Sequence, residues 1–225
     1  DLDSAGMPDL RELALALTLC NDARLDHTET AGWRVVGDPT EGALITLGRK
    51  AGIDASDFAR QDEIPFEASV KYMATLNRSI AGRQVIFVKG APDRLLTLCE
   101  HQRATDGGKD PVEHDRWQAL VDEYTAQGMR VLAAARRDVS PDVLTVESED
   151  LRGLVLLGIV AIADPPRPEA TAAIAECQEA GVSVKMITGD HARTAHAIAA
   201  EMGVVDDGAT VLTGAEIDGM DDVQL

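Results

Sequence analysis

The pattern of apolar residues changes near Asp164-Pro165-Pro166, and this change constrains the fold more than any other feature of the sequence. Around it and beyond it, strands and helices are predicted in turn, at 154–163, 168–180, 182–187 and 191–202. Such alternation is typical of a parallel, doubly wound sheet, so we predict α/β structure here. About 60 residues after the change are too few for a whole sheet of this kind, and we expect only part of one.

Residues 1–163 follow a different pattern, in which helices and strands do not alternate regularly. Helical spacing predicts a first helix behind Pro8, and Asp38-Pro39-Thr40-Glu41 has the residues of a capped helix start. Apolar runs at 71–80 and 83–89 predict an antiparallel hairpin. Two further helices and a strand are predicted at 92–99, 111–127 and 130–135. The predicted fold is therefore α+β, an antiparallel sheet with flanking helices, followed by the incomplete α/β piece.

Charge and cysteine content limit the function. The chain has 21 basic and 39 acidic residues, a net charge of -18. This excess opposes binding to nucleic acid or to an anionic membrane surface, so any anionic ligand needs a local basic cluster. We expect no membrane contact by this part of the protein, because no apolar run approaches roughly 18 residues and no signal peptide pattern is present. Three cysteines without a close pair indicate a reducing cytosol rather than a disulfide framework.

Common phosphate-binding and metal-binding motifs are missing from the sequence. Neither G-x-x-x-x-G-K-[ST] nor G-x-G-x-x-G occurs, so a nucleotide would need a different kind of site. His191 and His196 are five residues apart and do not share a helix face. We therefore predict no metal centre.

Four segments carry candidate functional residues, each with an ordinary structural alternative. Glu41 has the spacing of a capping-box residue, but it can also be a buried acceptor for an amino group. Phe66 is either a core residue or a stacking platform. Lys89 is either a solvated strand end or part of a site, since Gly90-Ala91-Pro92 lets a ligand approach the backbone. Thr188-Gly189-Asp190 joins a predicted strand to a helix, where Asp190 is either a ligand-binding residue or an N-cap.

These segments occur in a distinctive order together with several others. The full set is Cys20-Asn21-Asp22, Gly37-Asp38-Pro39-Thr40-Glu41-Gly42-Ala43-Leu44, Ile64-Pro65-Phe66-Glu67 with Lys71-Tyr72-Met73, Val88-Lys89-Gly90-Ala91-Pro92-Asp93, Gly128-Met129-Arg130-Val131-Leu132, Asp164-Pro165-Pro166-Arg167, and Met186-Ile187-Thr188-Gly189-Asp190 with Thr194-Ala195 and Ala197-Ile198-Ala199. Over nearly the whole chain this set resembles the P-type cation-transporting ATPases, and most closely their calcium-pump-like branch.

The resemblance implies two domains and a membrane protein around them. Residues 1–163 would be the nucleotide-binding domain, and residues 164–225 part of a haloacid-dehalogenase-like phosphorylation domain. The chain would be a cytoplasmic part of an integral plasma-membrane pump that uses ATP and Mg²⁺ and works through an aspartyl phosphate. Its partners would be ATP and the rest of the same pump, namely the transmembrane, actuator and remaining phosphorylation segments.

The resemblance also implies a role for each candidate in the nucleotide-binding domain. Phe66 would stack on adenine, and Glu41 would face the amino edge of the base. The remaining pocket residues would be two lysines and the two small residues that let the ring approach closely, Lys71, Lys89, Gly90 and Ala91.

The phosphates of ATP would meet a second group of residues. Arg130 would contact them and, with the lysines, supply the positive charge that the chain otherwise lacks. Thr188 would bond the transferring phosphoryl group, and Asp190, next to Gly189, would help to place ATP and Mg²⁺. Two further residues, Asp164 and Arg167, would act at the hinge side of the site.

Departures from the family pattern limit what this chain can do alone. The Asp-Lys-Thr-Gly-Thr segment with the phosphorylated aspartate and the Gly-Asp-Gly-x-Asn-Asp segment are missing, so we expect ATP binding without a complete phosphorylation cycle. Glu67 and Ala68 stand where many members have Ser and Arg, which removes one phosphate contact. Two alternatives remain, a free-standing phosphohydrolase of the dehalogenase type and a non-enzymatic interaction domain with an acidic surface.

Overall fold

The structure is a computed structural model that describes residues 7–29, 32–104, 106–163, 167–188, 192–205, 211–217 and 219–220. The chain divides into two compact units. The first contains residues 1–119 and 131–162, and the second contains residues 120–130 and 163–225.

Helices and strands follow one another irregularly until the last third of the chain. In chain order they are α1 (Pro8–Leu19), β1 (Arg24–Thr28), β2 (Gly32–Val36), α2 (Pro39–Lys50), β3 (Phe58–Glu67), β4 (Tyr72–Ser79), β5 (Gln84–Gly90), α3 (Pro92–Leu98), β6 (Cys99–Arg103), β7 (Lys109–Pro111), α4 (His114–Ala126), β8 (Arg130–Val139), β9 (Leu154–Ile162), α5 (Pro168–Glu179), α6 (Ala192–Glu201) and α7 (Gly214–Ile217). None of the helices in the described part combines the length and apolarity needed to cross a bilayer.

Seven strands of the first unit form one sheet in the order β3-β4-β5-β8-β9-β6-β7, and β1 and β2 form a separate antiparallel pair. The neighbours from β3 to β8 are antiparallel, as are β6 and β7, whereas β6 and β9 are parallel. The prediction of a purely antiparallel sheet is therefore wrong, and the sheet is mixed. The predicted hairpin is confirmed as β4 and β5, which pair from Tyr72–Gly90 to Arg78–Gln84.

The central strand β5 is buried on both faces of this sheet. Its residues alternate between two apolar clusters, because successive side chains of a strand point to opposite faces. Val85 and Phe87 pack with α1 and α2, whereas Ile86 and Val88 pack in the cluster that includes α3 and β9. The end of β5 is thus held on both sides by the core.

The helices α1 and α2 pack closely at a glycine. A Cβ atom on Gly48 would overlap the Thr18 hydroxyl oxygen, so a larger residue at this position would displace either that hydroxyl group or the helices. The predicted start of α2 is confirmed, since the Asp38 carboxylate accepts hydrogen bonds from the backbone amides of Thr40 and Glu41. α2 therefore has a fixed position against both α1 and the sheet.

Acids and arginines of the first unit alternate in a chain of ion pairs, of which Glu12, Arg83, Arg103 and Arg136 line an open cavity of about 600 Å³. Glu12 of α1 lies at the centre of these ion pairs, paired with Arg103 of β6 at 2.8 Å and with Arg136 of β8. The chain is completed by Asp9 on Arg103, and by Asp138 between Arg136 and Arg83. Two acids of α1 thereby tie the helix to two strands of the sheet, β6 and β8.

The second unit contains the two helices predicted after residue 164 but not the strand between them. α5 and α6 are confirmed, whereas residues 182–188 have no regular secondary structure. A strand needs a neighbour to satisfy its backbone N–H and C=O groups, and the described residues from 163 onward provide none. The predicted strand at 154–163 does form, but as β9 of the first sheet. No parallel α/β sheet is therefore seen in the described part of this unit.

Candidate functional site

Six of the predicted site residues come together at one end of three neighbouring strands. Tyr72 of β4 pairs with Glu67 of β3 on one side and with Gly90 of β5 on the other. Next to these paired residues stand Phe66, Lys71, Lys89 and Ala91. Glu41 joins them from α2 through an ion pair with Lys89.

Phe66 is exposed, and it is not a core residue. Its exposed fraction is 58%, whereas Phe87 is buried and Phe58 packs against the core. An irregularity in the pairing of β3 and β4 falls between Ile64 and Glu67, directly at this residue. An exposed aromatic ring offers its face to a flat apolar group such as a nucleobase.

Lys89 and Glu41 form a buried ion pair. The side chain of Lys89 is 6% exposed and that of Glu41 is 17% exposed. One carboxylate oxygen of Glu41 accepts a hydrogen bond from the Lys89 ammonium, and the other accepts one from the backbone amide of Asp22 at 3.3 Å. Glu41 therefore accepts hydrogen bonds from an ammonium of β5 and from a backbone amide of the turn after α1.

Lys71 has a strained backbone conformation at the edge of the site. Its φ is 62°, and it is the one residue other than glycine with a positive φ in the described part of the chain. Its ammonium lies 3.0 Å from the Asp93 carboxylate, and both side chains are more than half exposed. Such a pair is weak, so an incoming phosphate can compete for Lys71.

Gly90 and Ala91 connect β5 to α3. A Cβ atom on Gly90 would overlap the carbonyl oxygen of Lys71 and lie 2.8 Å from Tyr72 Cα. The amide of Ala91 donates to the same Lys71 oxygen at 2.9 Å. The packing of β4 therefore requires glycine at position 90, irrespective of any ligand.

We expect Lys71→Gly to keep the stability of the chain within about 1 kcal/mol, because glycine relieves the left-handed strain and offsets its own greater unfolded-state entropy. Denaturant unfolding measures this. The control is Lys71→Ala, which removes the same side chain but keeps Cβ and should be the less stable of the two. Equal free energies of unfolding for the two variants would contradict backbone strain at position 71. Under the function proposed below, both variants should weaken nucleotide binding equally.

The other predicted site residues belong to the second unit or lie outside the described residues. Arg130 is the first residue of β8, and Thr188 follows the irregular segment after α5; both are exposed. Arg167 precedes α5 at its N-cap position and makes no side-chain capping bond there. Asp164, Gly189 and Asp190 lie outside the described residues. Within the described ranges, no three His, Cys, Asp or Glu residues are grouped as metal ligands.

Sequence reasoning missed an arginine that contacts the turn after α1. One guanidinium nitrogen of Arg60, on β3, lies 2.7 Å from the Asp22 carboxylate, and another donates to the Asn21 carbonyl oxygen at 2.6 Å. Although its partial burial acts to lower the pKa of Arg60, the bonds to Asp22 and Glu63 raise it above its usual value. The Cys20-Asn21-Asp22 segment was a signal for this region, but nothing in the sequence pointed to Arg60.

Two of the three thiols are buried. Loss of hydration raises the pKa of Cys20, which lies beside Lys89, to about 11, and burial raises that of Cys99 to about 12. Cys177 is exposed.

At pH 8 we expect a thiol reagent to label Cys177 alone in the native chain. For Cys20 roughly one thiol in a thousand would be ionised, and Cys99 would be ionised less often still. Mass spectrometry after brief labelling should show one modification, and three after denaturation. Rapid labelling of Cys20 in the native chain would contradict the burial of this thiol beside Lys89.

The sequence is similar to those of known proteins over most of its length. Residues 9–169 match the family described as P-type ATPase, cytoplasmic domain N. The chain is 44% identical over 89% of its length to the cation-transporting ATPase pma1 of Synechocystis, and 39% identical over 96% to the probable cation-transporting ATPase F of Mycobacterium bovis. It is 35% identical over its whole length to the calcium-transporting ATPase 1 of Lactococcus lactis. The chain covers 22%, 25% and 26% of these relatives, about a quarter of their length.

Proposed function

The chain belongs to the P-type cation-transporting ATPases, and on this premise we propose that it is the ATP-binding part of an ATP-driven cation pump. The resemblance inferred from its motifs is confirmed by the family match over residues 9–169. The observation that carries the proposal is the exposed ring of Phe66 at the same strand ends as Lys71 and the Lys89–Glu41 pair.

These residues suit the two halves of a nucleotide. The Phe66 ring can stack on adenine, since base–aromatic stacking needs only an accessible face. The Glu41 carboxylate, which is paired with Lys89, can accept hydrogen bonds from the amino edge of the base. Lys71 is exposed and only weakly paired, so its ammonium is available to the phosphates. Gly90 and Ala91 place backbone rather than bulky side chains at the end of β5.

We propose that one part of the chain binds ATP and that the other takes part in transfer of its phosphoryl group. Residues 1–163 bind the nucleotide, and residues 164–225 are part of a phosphorylation domain of the dehalogenase type. Thr188 bonds the transferring phosphoryl group there, Asp190, next to Gly189, helps to place ATP and Mg²⁺, and Arg130 contacts the phosphates. Mg²⁺ enters with those phosphates, as a hard cation that keeps several of its waters.

The whole protein is proposed to be an integral membrane pump that forms an aspartyl phosphate, with this chain on its cytoplasmic side. The aspartate that is phosphorylated belongs to a part of the pump other than this sequence. Calcium is the ion that we propose first, because one of the similar proteins is named a calcium-transporting ATPase. The remaining partners are the other segments of the same pump.

Phe66→Ala tests the site and is expected to weaken ATP binding by about tenfold, because stacking contributes about 1–3 kcal/mol per base. Stability should change by less than about 0.5 kcal/mol, since the ring is exposed. Isothermal titration with ATP, and denaturant unfolding of the same samples, measure both effects. Trp33→Ala is the matched control, since this aromatic residue of β2 is 54% exposed and should leave ATP binding unchanged. Undiminished ATP binding by the Phe66 variant would refute the stacking role.

A further inference from the structure

We propose that Arg60 is a positioning residue for the nucleotide site, which acts by holding the Glu41 carboxylate against Lys89. Arg60 lies on β3 and makes no bond to Glu41 itself. It acts through the turn that follows α1, residues 20–23. The inference rests on the proposed function, since it concerns the same site, but its first steps do not depend on a nucleotide.

The first step is the hydrogen bonding of Arg60 to the end of α1 and to the turn after it. Its guanidinium donates to the carbonyl oxygens of Leu19 at 3.2 Å and Asn21 at 2.6 Å, and to the Asp22 carboxylate at 2.7 Å. The last carbonyl groups of a helix have no partners within the helix, and a cation there is favoured by the helix dipole. Arg60 therefore holds both the end of α1 and the turn with charge-assisted bonds.

The second step is the link from this turn to α2. The side chain of Asn21 is buried and donates to the carbonyl oxygens of Leu17, at 3.1 Å, and Glu41, at 3.0 Å. Its own carbonyl oxygen accepts from the Ala23 amide at 2.9 Å. Since all three bonds are made by one buried amide group, the turn is fixed to the backbone of Glu41.

The third step is the orientation of the Glu41 carboxylate. The Asp22 amide donates to one of its oxygens at 3.3 Å, and the Lys89 ammonium bonds the other. Displacement of the turn would remove the amide and leave the carboxylate held through one oxygen, by Lys89, while its last torsion is broad and weakly restrained. The direction of Glu41, and with it that of Lys89, thus depends on the position of the turn.

The geometry also explains why the residue is an arginine. Its contacts lie in two directions, with carbonyl oxygens on one nitrogen and carboxylates on the other, as a planar fork with five donors allows. A lysine ammonium is a single point that cannot bridge the same set. An irregularity in the pairing of β3 between Arg60 and Asp62 accompanies this placement at the edge of the sheet.

Arg60→Ala is expected to weaken ATP binding by about tenfold, because the loss of charge-assisted bonds frees the turn. In the nucleotide-free chain it should also shift the Asp22 amide resonance in a ¹H–¹⁵N spectrum. Arg24→Ala is the matched control, since it removes an arginine from an exposed ion pair with Asp26, in the strand that directly follows the turn. It should leave both ATP binding and the Asp22 resonance unchanged.

A double-mutant cycle with Glu41→Gln separates positioning from general structural support. If Arg60 acts through Glu41, adding R60A to E41Q should weaken ATP binding less than twofold further, because the carboxylate to be positioned is already gone. If the two residues acted independently, R60A would weaken ATP binding by the same roughly tenfold in E41Q as in wild type, and this result would overturn the proposal. If R60A does not fold, R60K replaces it in the same cycle, with an affinity expected between those of wild type and E41Q. R60K that binds ATP like wild type would overturn the role of the arginine fork.

ATP binding by the wild-type chain and the behaviour of R60A test the nucleotide site and the role of Arg60 separately. If the wild-type chain binds no ATP up to millimolar concentration, the proposed function fails, but the Asp22 resonance of R60A still tests the positioning link. If wild type binds ATP while R60A binds it equally well, with an unshifted Asp22 resonance, the positioning role is refuted and the proposed function stands.

Discussion

Lys89→Ala should lower the free energy of unfolding by about 3–5 kcal/mol, because it removes one partner of a buried ion pair. The ammonium of Lys89 is the charge partner of a Glu41 carboxylate that is only 17% exposed. In the variant, Glu41 keeps the 3.3 Å bond from the Asp22 amide but must either stay charged without a cation or become protonated. Urea unfolding followed by circular dichroism measures the loss.

Two further variants show whether burial is the cause of this loss. Lys71→Ala removes the other lysine of the site, whose pair with Asp93 is exposed, and should cost less than about 1 kcal/mol. The double variant Lys89→Met with Glu41→Leu should be more stable than Lys89→Ala alone, since no charge remains buried. Equal losses for Lys71→Ala and Lys89→Ala would mean that the Lys89–Glu41 pair is not buried in solution.

Because Lys89 contributes to stability, binding data for Lys89 variants need separate interpretation. A change at Lys89 disturbs the packing between β5 and α2 as well as any contact with a phosphate. Loss of ATP binding by a Lys89 variant is therefore ambiguous, whereas Phe66 is exposed and can be removed at little cost in stability. Of the two residues, Phe66 is the cleaner test of the nucleotide site.

Elements with strong local signals could be predicted from the sequence. The start of α2 was predicted because Asp38 and Pro39 have the residue types that cap and begin helices, and Asp38 does cap it. The hairpin of β4 and β5 was predicted because two apolar runs flank a tight turn, in which Gly82 has a φ of 82°. In both cases a few neighbouring residues determine the local structure.

Elements that depend on distant partners were predicted poorly. β9 was placed at the start of an alternating strand–helix pattern that is typical of a parallel, doubly wound sheet. It is indeed parallel to a neighbour, but that neighbour is β6, far back in the chain. Residues 182–187 carry a similar apolar signal, yet they form no strand in the described structure.

The candidate site shows the same division between local and distant information. The motif positions pointed to Phe66, Lys89 and Glu41, but sequence alone left each with an ordinary alternative. Contacts across 48 residues of chain decide that Glu41 pairs with Lys89, and no local pattern encodes such a contact. Arg60 was missed for the same reason, because its partners lie about 40 residues earlier in the chain, at Leu19, Asn21 and Asp22.

Glu12→Gln should lower the free energy of unfolding by about 3 kcal/mol, because one carboxylate neutralises two arginines from different strands. The side chains of Glu12, Arg103 and Arg136 are 15%, 19% and 13% exposed. After the substitution, Arg103 keeps Asp9, but Arg136 keeps only the longer contact of 3.6 Å with Asp138 among the ion pairs of the described residues. Thermal and urea unfolding of the variant measure this loss.

The loss of stability in Glu12→Gln should come from the partial burial of the ion pairs of Glu12 with Arg103 and Arg136, rather than from charge alone. Glu113→Gln is the matched control, since it breaks an ion pair with Arg116 in which both side chains are more than half exposed, and it should cost less than about 1 kcal/mol. Salt offers a second comparison: 0.5 M NaCl should weaken the exposed pair more than the network at Glu12, because buried charges are less screened. If Glu12→Gln and Glu113→Gln are equally stable, the tie between α1 and the sheet is apolar, through residues such as Leu17, and the ion pairs add little to it.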